Sequence, residues 1–148
     1  MIALAAITTG LGLGPALSQT AAQSPVGLWK TYGDDGAAAK SVVRIYEKDG
    51  EIQGSIDQLL TPNPDGTGER LCVNCKGDLK NKPMLGLVFI TGLHWMGEEY
   101  GGGEIVDPAS GTVYRASLKV LPDGQHLSVR GYVGLPVLGR SQTWERVP

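Results

Sequence analysis

From Val26 to Val147 the chain reads as about eight short strand stretches, separated by turns rich in Gly, Pro and Asp. Thr112–Leu121 alternates most cleanly, with Tyr114, Ala116, Leu118 and Val120 facing one way and Arg115, Ser117 and Lys119 the other. Ser41–Glu47 alternates too, placing Val43 and Ile45 on one face. Lys48-Asp49-Gly50-Glu51 then supplies an Asp-Gly hairpin turn, and Ile52–Asp57 returns antiparallel. Leu87–Thr91 is a near-continuous apolar run suited to a buried strand. Val26–Thr31, Gly103–Asp107, Gln125–Val133 and Arg140–Val147 complete the set. No window beyond the N-terminal apolar segment carries a 3.6-residue stripe. An even number of strands near eight, joined by short turns, closes into an up-and-down antiparallel β-barrel that leaves no edge exposed. At that size the interior either fills with side chains or holds one small ligand. An immunoglobulin-like sandwich is the second arrangement, and it would lack the disulfide between sheets.

The rest of the chain sets compartment and partners. At 148 residues it is one domain, and its 41% apolar content is enough for a core. The 22 glycines and 9 prolines follow no collagen-like period, so they belong in turns, bulges and one long loop. Net charge is −2 with Lys and Arg scattered, which argues against a nucleic-acid partner. The first 22 residues contain no charged side chain. Ile2–Leu17 is apolar and is followed by the small residues of a cleavage zone, as in a secretory signal peptide cut after Ser18 or Ala22. The basic residues that ordinarily precede such a segment are missing, which leaves an upstream start codon or an N-terminal anchor as alternatives; the run is short for a spanning helix. The expectation is a signal peptide over 1–22, a barrel domain over 23–148, and a periplasmic or secreted protein without stable membrane insertion. No Cys follows the apolar run, so a lipoprotein anchor is excluded.

Thr61–Met84 has no strand pattern, and a structureless loop of that length is a lid, a binding element or a mobile insert. It holds Cys72-Val73-Asn74-Cys75. In an oxidising compartment this pair is expected to form a disulfide that shapes the loop, with a redox pair or a metal site as alternatives. Zinc would need two further ligands, and no second Cys pair or His pair exists. His94 and His126 lack a nucleophile partner, and Gly101-Gly102-Gly103 has no following Lys-Ser/Thr to make a phosphate loop. Glu98-Glu99, beside Tyr100 and the glycines, reads as a solvated turn. In a closed barrel the first and last strands are neighbours. Trp29 therefore reads as a core plug on which a guanidinium from Arg130, Arg140 or Arg146 would stack.

Gly27-Leu28-Trp29 with a late Arg resembles the way lipocalins close the barrel floor. Over most of the domain the chain resembles a bacterial family known as domain of unknown function 2147. The carrying blocks include Ser41-Val42-Val43-Arg44-Ile45-Tyr46, Cys72-Val73-Asn74-Cys75-Lys76-Gly77-Asp78 and Lys82-Pro83-Met84-Leu85-Gly86. Asp107–Tyr114, Arg130-Gly131-Tyr132 and Leu138–Trp144 continue them, with Ser141 where members often have Thr. The resemblance implies a lipocalin-like fold and export in Gram-negative bacteria, and brings no activity or catalytic residue. The expected function is carriage or binding of a small, largely apolar molecule by Trp95, Tyr114, Leu118 and Tyr46. Trp29, Arg130 and Arg140 would close the barrel, with no cofactor, metal or catalytic residue. The alternative is an envelope interaction module with a filled barrel, working through Tyr100 and Tyr132. An enzyme using Cys72 and Cys75 ranks third.

Overall fold

The computed structural model describes residues 10, 12, 23–63, 66 and 68–148; the expected signal peptide and its cleavage sites lie essentially outside them. Eight strands form one closed barrel in sequence order. They are β1 (Gly27–Tyr32), β2 (Ala39–Lys48), β3 (Glu51–Leu59), β4 (Val88–Trp95), β5 (Tyr100–Val106), β6 (Val113–Val120), β7 (His126–Tyr132) and β8 (Arg140–Arg146). Every neighbouring pair is antiparallel, including β1 with β8. The up-and-down barrel expected from the strand rhythm is therefore the observed fold, and the sandwich is not.

Alternation decides the two faces. Val43 and Ile45 on β2 are buried with Trp29, while Arg44 between them is exposed and pairs with Asp57 at 3.1 Å. One half of the interior is packed solid by Trp29, Ile45, Ile52, Ile90, Leu93, Leu118 and Leu127. That end also carries the tight β2–β3, β4–β5 and β6–β7 turns. Asp49 and Gly50 sit at φ 53° and 79°, the left-handed pair that a two-residue hairpin needs.

β5 begins at Tyr100, three residues before the Gly103 start expected from the sequence, so all three glycines belong to the strand and the turn lies at Glu98-Glu99 as expected. A side chain on Gly103 would collide with the carbonyl oxygen of Thr91 and the backbone of Gly92 and Leu93, so only glycine lets β4 and β5 meet there. The ladder shifts register between Tyr100 and Gly103, and β4 runs on past Thr91 through His94 to Trp95.

Trp29 closes the packed end and is 0% exposed. Its indole N–H donates to the Pro25 carbonyl at 2.7 Å, so the polar atom is satisfied inside the core. The guanidinium of Arg146 lies 4.2 Å from the ring centroid. It is held there by donating to the carbonyls of Gly124 at 2.8 Å, Val26 at 3.2 Å and Ser24 at 3.2 Å. Gly27 makes room: its φ is +138°, and a Cβ there would lie 2.9 Å from an Arg146 nitrogen. The spacing of Gly27 and Trp29 is thus a steric requirement of the stacked cation. Arg130 and Arg140 do not take this place. Arg130 donates to Ser141 at 2.8 Å, and Arg140 sits beside Asp34 at 3.7 Å near the other end. The reason is register, since β1 meets β8 with Trp29 opposite Arg146 and Lys30 opposite Glu145.

Burying an indole of this kind removes roughly 150–250 Å² from water. Trp29→Ala should lower stability by about 3–5 kcal/mol in urea denaturation. A loss under about 1 kcal/mol would contradict the plug. At the β6–β7 turn, Asp123 accepts from the backbone N–H groups of Gln125 at 2.8 Å and His126 at 3.1 Å, and lies 2.6 Å from the His126 ring. The Gln125 bond first, and then the His126 ring, hold its carboxyl below the ordinary carboxylate range. Its contribution to the turn is therefore complete above that range and fades as pH falls through the lowered value. An NMR titration should give Asp123 a midpoint below that of an unpartnered Asp, and His126→Ala should raise it.

Candidate functional site

Opposite the packed end the barrel is open. The chain crosses this end at the β1–β2 connection, the long β3–β4 loop, the β5–β6 turn and the β7–β8 loop. Between them a cavity of about 1370 Å³ descends into the barrel. Phe89 from β4 and Trp144 from β8 both line it, their ring centroids 6.4 Å apart and tilted by 39°. Both are buried, and they meet across the interior on the side where packing begins. Val43, Ile56, Ile105, Tyr114 and Val129 also line the cavity. Thr31, Ser41 and Gln142 supply polar atoms on the β1, β2 and β8 side. The interior is thus divided, one half filled by side chains and the other a pocket.

A chain of hydrogen bonds ties the pocket to its rim. Trp144 Nε1 donates to Gln142 Oε1 at 3.1 Å, which orients the amide so that its nitrogen donates to Asp34 at 3.1 Å. Asp34 in turn faces Arg140. These contacts bridge β1 and β8 above the point where the backbone ladder stops. Tyr32 adds to them by donating to Glu145 at 2.8 Å, and that carboxylate raises the phenol's pKa.

The long loop is built rather than structureless. Cys72 and Cys75 are disulfide-bonded with Cα atoms 5.3 Å apart. The Cys72 amide donates to the Lys82 carbonyl at 2.8 Å, Asn81 donates back to Cys72 at 2.9 Å, and Met84 donates to Arg70 at 2.7 Å. A short 3₁₀ turn, Gly77–Leu79, completes the fold of this segment. Both sulfurs are buried, and the redox and metal alternatives gain no partner group there. Among the described residues no three His, Cys, Asp or Glu side chains gather as metal ligands. The loop is fastened to the β5–β6 turn, where Asn74 donates to the Ala109 carbonyl at 2.7 Å. Gly111 permits the contact: at φ +74°, any side chain would strike the Asn74 carbonyl. Thr61, Arg70, Leu71 and Val73 of this loop then form part of the pocket wall.

Of the residues expected to bind ligand, Tyr114 lines the pocket. Leu118, four residues on and on the same face, is fully buried in the packed half. Tyr46 lies on the opposite face of β2 from Val43 and Ile45, where its hydroxyl donates to Gln53 at 3.2 Å. Trp95 is 45% exposed and stacks edge-on against Tyr100 at 5.1 Å. It stands at the far end of β4 from the long loop, because the two ends of one barrel strand open on opposite ends of the barrel. Phe89, Trp144, Thr31 and Ser41 were missed. Phe89 was legible as the fourth-strand apolar run and Trp144 as alternation on β8, but nothing local distinguishes a cavity wall from packed core. Tyr132 reaches the rim, whereas Tyr100 is at the other end.

Large apolar side chains crowd the rim. Val133, Leu135, Val137 and Leu138 are exposed on the β7–β8 loop, and Leu60, Val73 and Leu85 on the β3–β4 loop. No helix among the described residues is long and apolar enough to cross a membrane.

An eight-stranded up-and-down barrel, packed at one end over a Gly-x-Trp plug and open at the other, is the architecture of lipocalin-like proteins. A family described as uncharacterised protein conserved in bacteria, DUF2147, matches residues 27–146, and the chain belongs to it. Among solved structures, protein HP1028 from Helicobacter pylori, described as belonging to the lipocalin family, is similar in fold. Its TM-score is 0.70 at 21% identity, over 84% of each chain. No curated protein matches the chain.

The fastening of the loop can be tested by proteolysis. Gly111→Ala should speed tryptic cleavage at Lys76 or Lys80 several-fold while the barrel's unfolding midpoint changes little. Replacing both cysteines with Ser should also speed cleavage there, at a stability cost of no more than about 2 kcal/mol.

Proposed function

We propose that the protein binds and carries a small, largely apolar molecule in the half-barrel pocket, and that it does so in the periplasm or outside the cell. The observation that carries the reading is the cavity beside the Phe89–Trp144 pair, walled largely by hydrocarbon and open at one end. Its volume exceeds the several hundred Å³ of ordinary small-molecule sites, which leaves room for a long or branched ligand. The lipocalin-like architecture supports binding as the role, and the membership in a bacterial family supports the source. The uncharged apolar leader supports export. An enzymatic role finds no support in the disulfide, whose sulfurs are buried and paired.

A second reading, an envelope protein partner, is favoured by one observation. Val133, Leu135, Val137 and Leu138 are all exposed within the one β7–β8 loop, and exposed apolar side chains that gather in this way mark interaction sites. The fully filled barrel of that reading is not observed, so a partner would dock at the mouth of a carrier.

The test is titration with N-phenyl-1-naphthylamine, a neutral apolar fluorophore. Saturable binding at micromolar concentrations or tighter is expected. Ile105→Trp, which projects an indole into the pocket beside Tyr114, should weaken it about ten-fold by occupying space, with the melting temperature nearly unchanged. Absence of saturable binding in the wild type would remove the carrier reading.

A further inference from the structure

The pocket has two unlike walls. Ile56, Leu59, Phe89 and Ile105 make one side hydrocarbon, and the β1–β2–β8 side carries Thr31, Ser41 and Gln142. Thr31 Oγ1 and Ser41 Oγ lie 2.7 Å apart on directly paired residues of β1 and β2. They sit one alternation step above the Trp29–Val43 pair that belongs to the packed core. Two hydroxyls hold two hydrogens, and their mutual bond uses one. The second O–H, with the remaining lone pairs, is left for the cavity.

Gln142 adds to this strip without adding charge. Its carbonyl takes the Trp144 N–H, and one of its own N–H bonds goes to Asp34, leaving a second N–H. The charged residues of the lining, Asp34, Lys40, Glu69, Arg70, Asp107 and Arg140, belong to the loops and strand ends of the open end. Asp34 is already engaged with Gln142 and Arg140, and Arg70 with the carbonyls of Thr61 and Pro62. An ionised group drawn down to Thr31 would lose its hydration and meet no countercharge, whereas a hydroxyl or amide would exchange water for the waiting partners.

We infer that the ligand is an uncharged amphiphile, an aliphatic body bearing a hydroxyl or amide. Its polar group is read by the Thr31–Ser41 hydroxyl pair, and its hydrocarbon lies against the β3–β5 wall. This rests on the carrier reading above and adds the chemical class of the cargo. The hydroxyl pair binds and orients; it performs no chemistry.

The test displaces bound N-phenyl-1-naphthylamine with three chains of equal length: 1-dodecanol, dodecanoate and 1-chlorododecane. The wild type should prefer the alcohol to both others by about five- to ten-fold, the value of one well-placed hydrogen bond. In the near-isosteric variant Thr31→Val/Ser41→Ala the alcohol should fall to the level of the chloride. The variant's affinity for the fluorophore is measured directly and each displacement is expressed relative to it, with an unchanged melting temperature reporting an intact barrel. Dodecanoate binding as tightly as the alcohol, or an order of affinities unchanged in the variant, overturns the inference while leaving the carrier reading in place. Failure of the fluorophore to bind the wild type strikes the carrier reading itself.

Discussion

Closure of the ring between β1 and β8 is the constraint on which this barrel depends. Within the two strands the ladder runs through Trp29–Arg146 and Lys30–Glu145, the Val147 N–H extends it to the Leu28 carbonyl at 2.9 Å, and all of this lies toward the packed end. What the ladder lacks, side chains supply. Below, Arg146 covers the Trp29 ring and ties three carbonyls from two chain segments, so a single guanidinium joins the entry strand, the β6–β7 turn and the last strand. Above, Tyr32–Glu145 and Asp34–Gln142 span the seam. A cation over an indole contributes roughly 0.5–2 kcal/mol, less than the burial of the ring it covers. Hydrophobic burial therefore holds the end shut, and the cation fixes which strands meet there.

That closure also explains why the pocket sits where it does. Large side chains at the Trp29 end fill the narrow interior, and the fill stops at the Phe89–Trp144 contact. Beyond it the inward positions carry Thr31, Ser41 and Gln142 on one side, which are too small or too polar to meet across the barrel. The long loop keeps this space from being simply open water. Its disulfide and its backbone bonds give it a shape, and the Asn74–Ala109 contact over Gly111 pins that shape to the rim. The loop is thereby a wall of the site as well as a connection.

The legible part of the fold was the part governed by local rules. Period-two alternation, Asp-Gly turns and the absence of helical stripes were enough for eight strands and a closed barrel. The sequence points to Arg130 and Arg140 as readily as to Arg146 for the Trp29 face, because the stagger between β1 and β8 is invisible in either strand alone. The role of Gly103 is hidden for a similar reason: the close approach of Thr91 that demands glycine is a contact between strands. Tyr46 and Trp95 were placed at the ligand by residue type, and each lies elsewhere for a geometric reason. One is on the outward phase of its strand and the other at the wrong end of its strand.

By itself, then, the sequence determined the number of strands, their order, the faces they bury and the residue that plugs one end. These follow from side-chain periodicity and turn chemistry, which act over a few residues at a time. Tertiary structure alone decided which arginine meets Trp29, that the interior is half full, and that Thr31, Ser41 and Gln142 share one wall of a cavity. Those outcomes depend on strand stagger and on the summed volume of side chains arriving from all around the ring, quantities that no single stretch of the chain contains.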